Sequence, residues 1–211
     1  IWGPPKITDR EYKKAVWKDI LKWDMDAKGD GVRRRVFVSS MGDFLEDHPQ
    51  VMEWREEAKR IIEKLENLDV LLLTKRPENA PLFLGEWFCD WPEHVWMGTT
   101  IEDDNQAQRM IDVLEIPSKI TFFSVEPMLS KVDMHFLNTP NPKRDVWVIC
   151  GGESGVGCRP FDWDWARDLR DQCKEANVPF WMKQGGGHPN PRHNLEDLPE
   201  DLRIRELPES A

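Results

Sequence analysis

Glu126 and Glu153 each follow a short apolar run, FFSVEP for the first and VWVICGGE for the second. Two carboxylates in different surroundings can divide acid and base roles on one substrate, as in glycoside hydrolysis. Lys183 closes a third run, FWMKQGGG, and Lys75 and Arg76 follow a fourth in LLLTKRP. Such cations suit a carboxylate or phosphate. Glu126, Glu153 and Lys183 are therefore the candidate catalytic groups. Asp43, Lys75, Arg76, Glu102, Arg159 and Gln184 are the candidate substrate contacts. Ser39, Ser40, Thr99, Thr100 and Ser154 add hydroxyls at the same kind of position. Gly151 and Gly152 let the backbone turn and approach a ligand with no Cβ in the way. A loop charge satisfied by a neighbour is as good a reading of any one of these residues; their recurrence at run after run favours a site.

The apolar runs are what positions them. Val36–Ser40, Val70–Leu73, Val95–Met97, Ile120–Phe123, Val146–Cys150 and Val178–Met182 read as strands, the fifth dry enough to be buried on both faces. Between them, Gln50–Leu68, Asn105–Leu114 and Trp163–Glu175 have helical periodicity, with a shorter helix at Glu78–Leu84. Glu11–Trp23 predicts an amphipathic helix with Tyr12, Val16, Ile20 and Trp23 on one face, ended by a turn-rich DAKGDG. Alternation of this kind predicts an α/β fold with a mainly parallel sheet of about six strands. Polar residues gather after the strands and not before them, which favours a partial or full (β/α) barrel with its site at the mouth formed by the strand C-terminal ends. An open doubly wound sheet is the competitor. Residues 1–187 are expected to form a single barrel-like domain, 1–34 being a helical extension, and 188–211 a Pro-rich acidic tail without regular structure.

Composition narrows the classes. The chain has 211 residues and 29 Lys and Arg against 39 Asp and Glu, a net charge of −10, which supplies no strong electrostatics for nucleic acid or anionic lipid. No apolar run approaches the ~20 residues of a membrane span. The four cysteines, Cys89, Cys150, Cys158 and Cys173, lack C-x-x-C spacing and the density of a disulfide scaffold, so they read as reduced thiols in a cytoplasmic protein. No histidine closes a strand as a barrel zinc site would want, and no metal site is expected. Walker, dinucleotide and nucleophile-elbow patterns are absent. The chain opens on Ile1 without a signal-like segment, and is expected to be a piece of a longer or trimmed product.

Taken together, WGPP, VFVSSMGDFLED, LLLTKRPEN, VWMGTTIEDD, FFSVEPML, VWVICGGESGVGCRP and LRDQCKEANVPFWMKQGG resemble a phage- and prophage-borne family of unknown function. That family is marked by an amino-terminal three-cysteine motif. It is similar in turn to divergent radical S-adenosylmethionine proteins, near those like spore photoproduct lyase. The resemblance implies a partial (β/α) barrel, S-adenosylmethionine and a [4Fe–4S] cluster. The cluster cysteines it implies precede WGPP, and none of the four cysteines here matches their spacing. It also implies cofactor contacts at Ser39, Ser40, Thr99, Thr100, Gly151, Gly152, Glu153 and Ser154, with the Glu153 carboxylate taking the cofactor's ammonium.

The leading expectation is thus a radical S-adenosylmethionine type of enzyme acting on a small-molecule or nucleotide substrate, with this chain inactive in that reaction by itself. The alternatives are a metal-independent barrel hydrolase using Glu126 and Glu153, and a non-catalytic ligand-binding module.

Overall fold

The computed structural model describes residues 10–12, 14–38, 42–138, 145–187, 192 and 194–209. The fold is α/β. The strands are β1 (Arg34–Val38), β2 (Leu68–Thr74), β3 (Val95–Thr100), β4 (Ile120–Val125), β5 (Asp145–Gly151) and β6 (Phe180–Gln184). The helices are α1 (Lys14–Asp30), α2 (Pro49–Ile62), α3 (Ala80–Phe83), α4 (Ala107–Leu114) and α5 (Trp163–Glu175). The strands form one sheet in chain order, and the pairs β1–β2, β4–β5 and β5–β6 are parallel, as the alternating pattern predicts. Among the described residues no helix is long and apolar enough to cross a membrane. Compactness divides the chain into two units, Ile1–Met97 with Ile116–Ser118, and Gly98–Glu115 with Lys119–Ala211.

In the first unit, β2 is buried on both faces through Val70, Leu71 and Leu72, and Val95 and Met97 of β3 are equally dry. β1 is more exposed, so it reads Arg-Arg-Val-Phe-Val where β2 reads Leu-Asp-Val-Leu-Leu-Leu-Thr. The α1 helix does not stop at DAKGDG. It runs to Asp30 because Ala27, in the middle of that stretch, is buried one face-repeat after Ile20. Gly31, at φ 66°, ends it, and the Val32 amide reaches back to the Ala27 carbonyl at 3.1 Å, a Schellman closure. The expected apolar face is only half used: Ile20 is buried, whereas Val16 and Trp23 are exposed and Tyr12 stacks on Trp54. The α2 helix starts with His48 accepting from the Gln50 amide and Pro49 in the first turn. It ends at Ile62, six residues short of the periodic pattern, because Leu65 and Leu68 are buried outside it and Leu68 already belongs to β2.

In the second unit the strands stack side chains in register. Phe122 of β4 stands opposite Trp147 of β5, and Ile149 opposite Trp181 of β6. Phe122 and Trp147 pack at 6.3 Å between centroids, Trp147 and Trp181 edge-on at 5.9 Å. Gly98 makes room for the Phe122 ring, which a Cβ there would overlap. The helix α5 begins with Asp162 accepting from the Asp164 amide at 2.9 Å and buries Ala166, Leu169 and Cys173. The segment expected to lack structure carries two 3-10 turns, Leu195–Asp197 and Glu200–Leu202. Beyond them the chain pairs antiparallel with β6. The Met182 amide donates to Ile204 O and the Glu206 amide to Phe180 O, so the backbone groups on that side of β6 find partners.

Because the Phe122 ring occupies the space over Gly98, Gly98→Ala is expected to lower the unfolding free energy by about 2 kcal/mol, measured by urea denaturation. Gly98→Ala combined with Phe122→Leu is expected to lose less than the sum of the two single changes, since the ring that clashes is then gone.

Candidate functional site

The residues singled out by type fall into separate clusters at the ends of strands. In the first unit, Asp43 sits in the loop before α2 with a fully buried side chain. Its Oδ1 accepts from Thr74 Oγ1 at 2.5 Å and from the Leu45 amide at 3.1 Å. Its Oδ2 accepts from Arg76 Nη1 at 2.6 Å and from the Lys75 amide at 3.2 Å. Four donors fill the carboxylate, so Asp43 ties its loop to the end of β2 and orients Arg76. Around it, Arg55 donates to Phe44 O and Glu46 O and lies over the Phe83 ring, and Arg10 grips Glu46 through both carboxylate oxygens. Ser39 and Ser40 lie outside the described residues.

In the second unit, Thr99 and Thr100 belong to β3 itself and are buried, one strand residue after another, instead of following the strand. Thr100 Oγ1 donates to Glu102 Oε1 at 3.2 Å. Arg109 Nη1 reaches Glu102 Oε2 at 2.9 Å and the Thr100 carbonyl at 3.1 Å. Arg109 lies in the first turn of α4, where nothing in the sequence marked it out.

Glu126 and Lys183 are brought together. Lys183 Nζ donates to Glu126 Oε2 at 2.8 Å, with the Lys183 side chain about half exposed and Glu126 mostly covered. The Glu126 carboxyl lies across Gly151, where a Cβ would stand 3.0 Å from its Cδ. Gly151 is thus glycine to admit a side chain of the protein. Gly152 is glycine to admit backbone: a Cβ there would overlap the amide of Gly186. The two glycine-bearing loops are laced by the Gly152 amide to Gln184 O at 3.1 Å, Gln184 Nε2 to Gly152 O at 3.0 Å and the Gly187 amide to Glu153 O at 3.1 Å. Gln184 is buried and spends its amide on that lacing, while Ser154 is exposed and pairs through its backbone with Gly187.

Glu153 does not face Glu126 as a free partner. Arg159 holds it through both oxygens, Nε to Oε2 at 2.9 Å and Nη2 to Oε1 at 2.8 Å, and adds its own amide at 2.8 Å. These bonds to Arg159 hold the Glu153 carboxyl down at about 2, so it stays ionised through the neutral range. Between the two residues, Gly155 and Gly157 take positive φ and Val156 stands out at the tip.

The cysteines offer no cluster. Cys150 and Cys173 are buried, and burial raises both thiols, Cys173 to about 12. Among the described residues no group of three or more His, Cys, Asp or Glu could hold a metal ion. A large hollow in this unit lies at the beginnings of β5 and β6, lined by Asp145, Val146, Lys174, Pro179 and Glu206, away from these charges.

The Glu153–Arg159 pair has a pH signature. Its folded value lies below the ordinary 4.5, so Glu153 adds stability that is present above that value and is lost as pH falls towards 2. Carboxyl NMR titration is expected to place the Glu153 midpoint near 2, and Arg159→Ala to return it to roughly 4.3. A midpoint unmoved by Arg159→Ala would show that the pair is not what holds it.

No curated protein and no solved structure matches the chain. A family model, described as Protein of unknown function (DUF5131), matches residues 5–202. With nearly its whole length covered by that match, the chain belongs to the DUF5131 family.

Proposed function

We propose that the protein binds a small molecule bearing an α-amino acid head group at the strand ends of its second unit. S-adenosylmethionine is the ligand that the sequence resemblance implies. The observation that carries the reading is the half-exposed Glu126–Lys183 pair seated over Gly151. A zwitterion matches such a pair. Its carboxylate would take the Lys183 ammonium and its own ammonium the Glu126 carboxylate, exchanging one ion pair for two. Glu153, which the resemblance assigns to the ammonium, is already filled by Arg159, so Glu126 is the better acceptor. The backbone lacing between the β5 and β6 loops holds both groups at fixed positions before any ligand arrives, which lowers the ordering cost of binding.

The finer assignment, a phage-type enzyme of the radical S-adenosylmethionine kind, rests on the order of the motifs. The thiols described here do not fit an iron–sulfur cluster, and no step is derived through one. Bound S-adenosylmethionine would itself supply the reactive group, while Glu126 and Lys183 would hold and orient its methionine end. The hydrolase reading has less support. Arg159 occupies both oxygens of Glu153 and Lys183 holds Glu126, so neither carboxyl stands open to a water or a leaving group.

Titration calorimetry of the whole chain with S-adenosylmethionine, and separately with methionine, tests the proposal. Both are expected to bind at one site, with Lys183→Ala and Glu126→Gln each weakening binding by about tenfold or more. Absence of binding by either ligand, or binding undiminished by both substitutions, would overturn it.

A further inference from the structure

Arg76 differs from the arginines that surround it and from those of the second unit. Arg10 and Arg159 each hold a carboxylate with two guanidinium nitrogens. Arg55 is buried and gives its nitrogens to two backbone carbonyls. Arg109 is spent on Glu102 and the Thr100 carbonyl. Arg76 uses Nη1 alone, at 2.6 Å from Asp43 Oδ2, and its side chain is 37% exposed. Among the described residues neither its Nε nor its Nη2 meets an acceptor.

Countercharge for Asp43 accounts for the contact but not for the rest of the geometry. Asp43 already receives three neutral donors, from Thr74 Oγ1 and the amides of Leu45 and Lys75. The fourth, from Arg76, fills its remaining lone pair and fixes one corner of the guanidinium. The Arg76 amide is held in turn by Thr74 Oγ1 at 2.9 Å, so backbone and side chain are both anchored to the end of β2. Glu46, whose carboxyl Arg76 helps to pull down, is occupied by Arg10 and is no competitor for the open edge. A guanidinium held at one corner by a saturated buried acid, with its Nε–Nη2 edge unoccupied among the described residues, is prepared for a planar or tetrahedral oxyanion that takes two parallel bonds.

We propose that Arg76, oriented by Asp43 and Thr74, is an anion-binding residue of the first unit that receives a carboxylate or phosphate oxygen pair of a small ligand. The proposal draws on no residue of the Glu126–Lys183 pair and stands or falls independently of it.

The test follows the arginine Nε–H resonances of the whole chain by NMR at constant ionic strength, during titration with inorganic phosphate and, in a second arm, with acetate. Arg76→Lys identifies the Arg76 signal by its loss. The Arg76 Nε–H is expected to shift and saturate while those of Arg109 and Arg159 stay put. Saturation with phosphate alone assigns a phosphate ester, and saturation with acetate assigns a carboxylate. Affinity, read in both variants from the backbone amide shifts of Thr74 and Lys75, is expected to fall about tenfold or more in Arg76→Ala. Arg76→Lys, which keeps the charge beside Asp43 and so protects the fold, is expected to weaken binding by removing the fork. The proposal is overturned if neither anion gives a saturating shift at Arg76, or if both substitutions leave anion affinity unchanged.

Discussion

Strands buried on both faces leave a charged group few places to stand. The middle of β2 and all of β3 and β4 are covered, so an ionised side chain within them would lose its water with nothing to replace it. Charges are tolerated where a strand ends and its next loop can bring a partner. Asp43, Glu102, Glu126 and Glu153 all satisfy that rule, each with a cation at hydrogen-bond distance. The placement of the candidate site therefore follows from the desolvation of the sheet, before any ligand is considered.

The pairs differ in how far they are committed to the fold. Asp43 is buried and saturated, and removing one of its donors would leave part of a dry carboxylate without a partner. Glu102 and Arg109 are nearly as covered and secure the chain that leaves β3. The Glu153–Arg159 pair is more exposed and closes a short loop with two positive-φ glycines, a local clasp screened by water. Glu126–Lys183 is intermediate, a mostly covered acid with a half-exposed base. That combination holds the acid in place and leaves the Lys183 side chain half open to water.

The glycines show how one residue type can serve two ends. A glycine at the end of a strand suits close approach of a ligand, but the approach at Gly151 is made by Glu126 and that at Gly152 by the Gly186 backbone. Removal of Cβ is what lets the β5 and β6 loops interlock, and the interlock is what holds Glu126 and Lys183 in register.

By itself the sequence determined the alternation of strands and helices, the parallel α/β class, the span of α5, and the gathering of charges after strands. Those features come from local periodicity and desolvation, which act within a window of a few residues. Only the tertiary structure decided which cation each acid holds: Lys183 for Glu126 across 57 positions, Arg76 for Asp43 across 33, and Arg109 for Glu102 from inside a helix. It also decided that α1 continues into DAKGDG as far as Asp30, since Ala27 is buried, and that the last segment pairs with β6. Partner choice depends on register and on which backbones come close, and neither is encoded in the spacing along one strand.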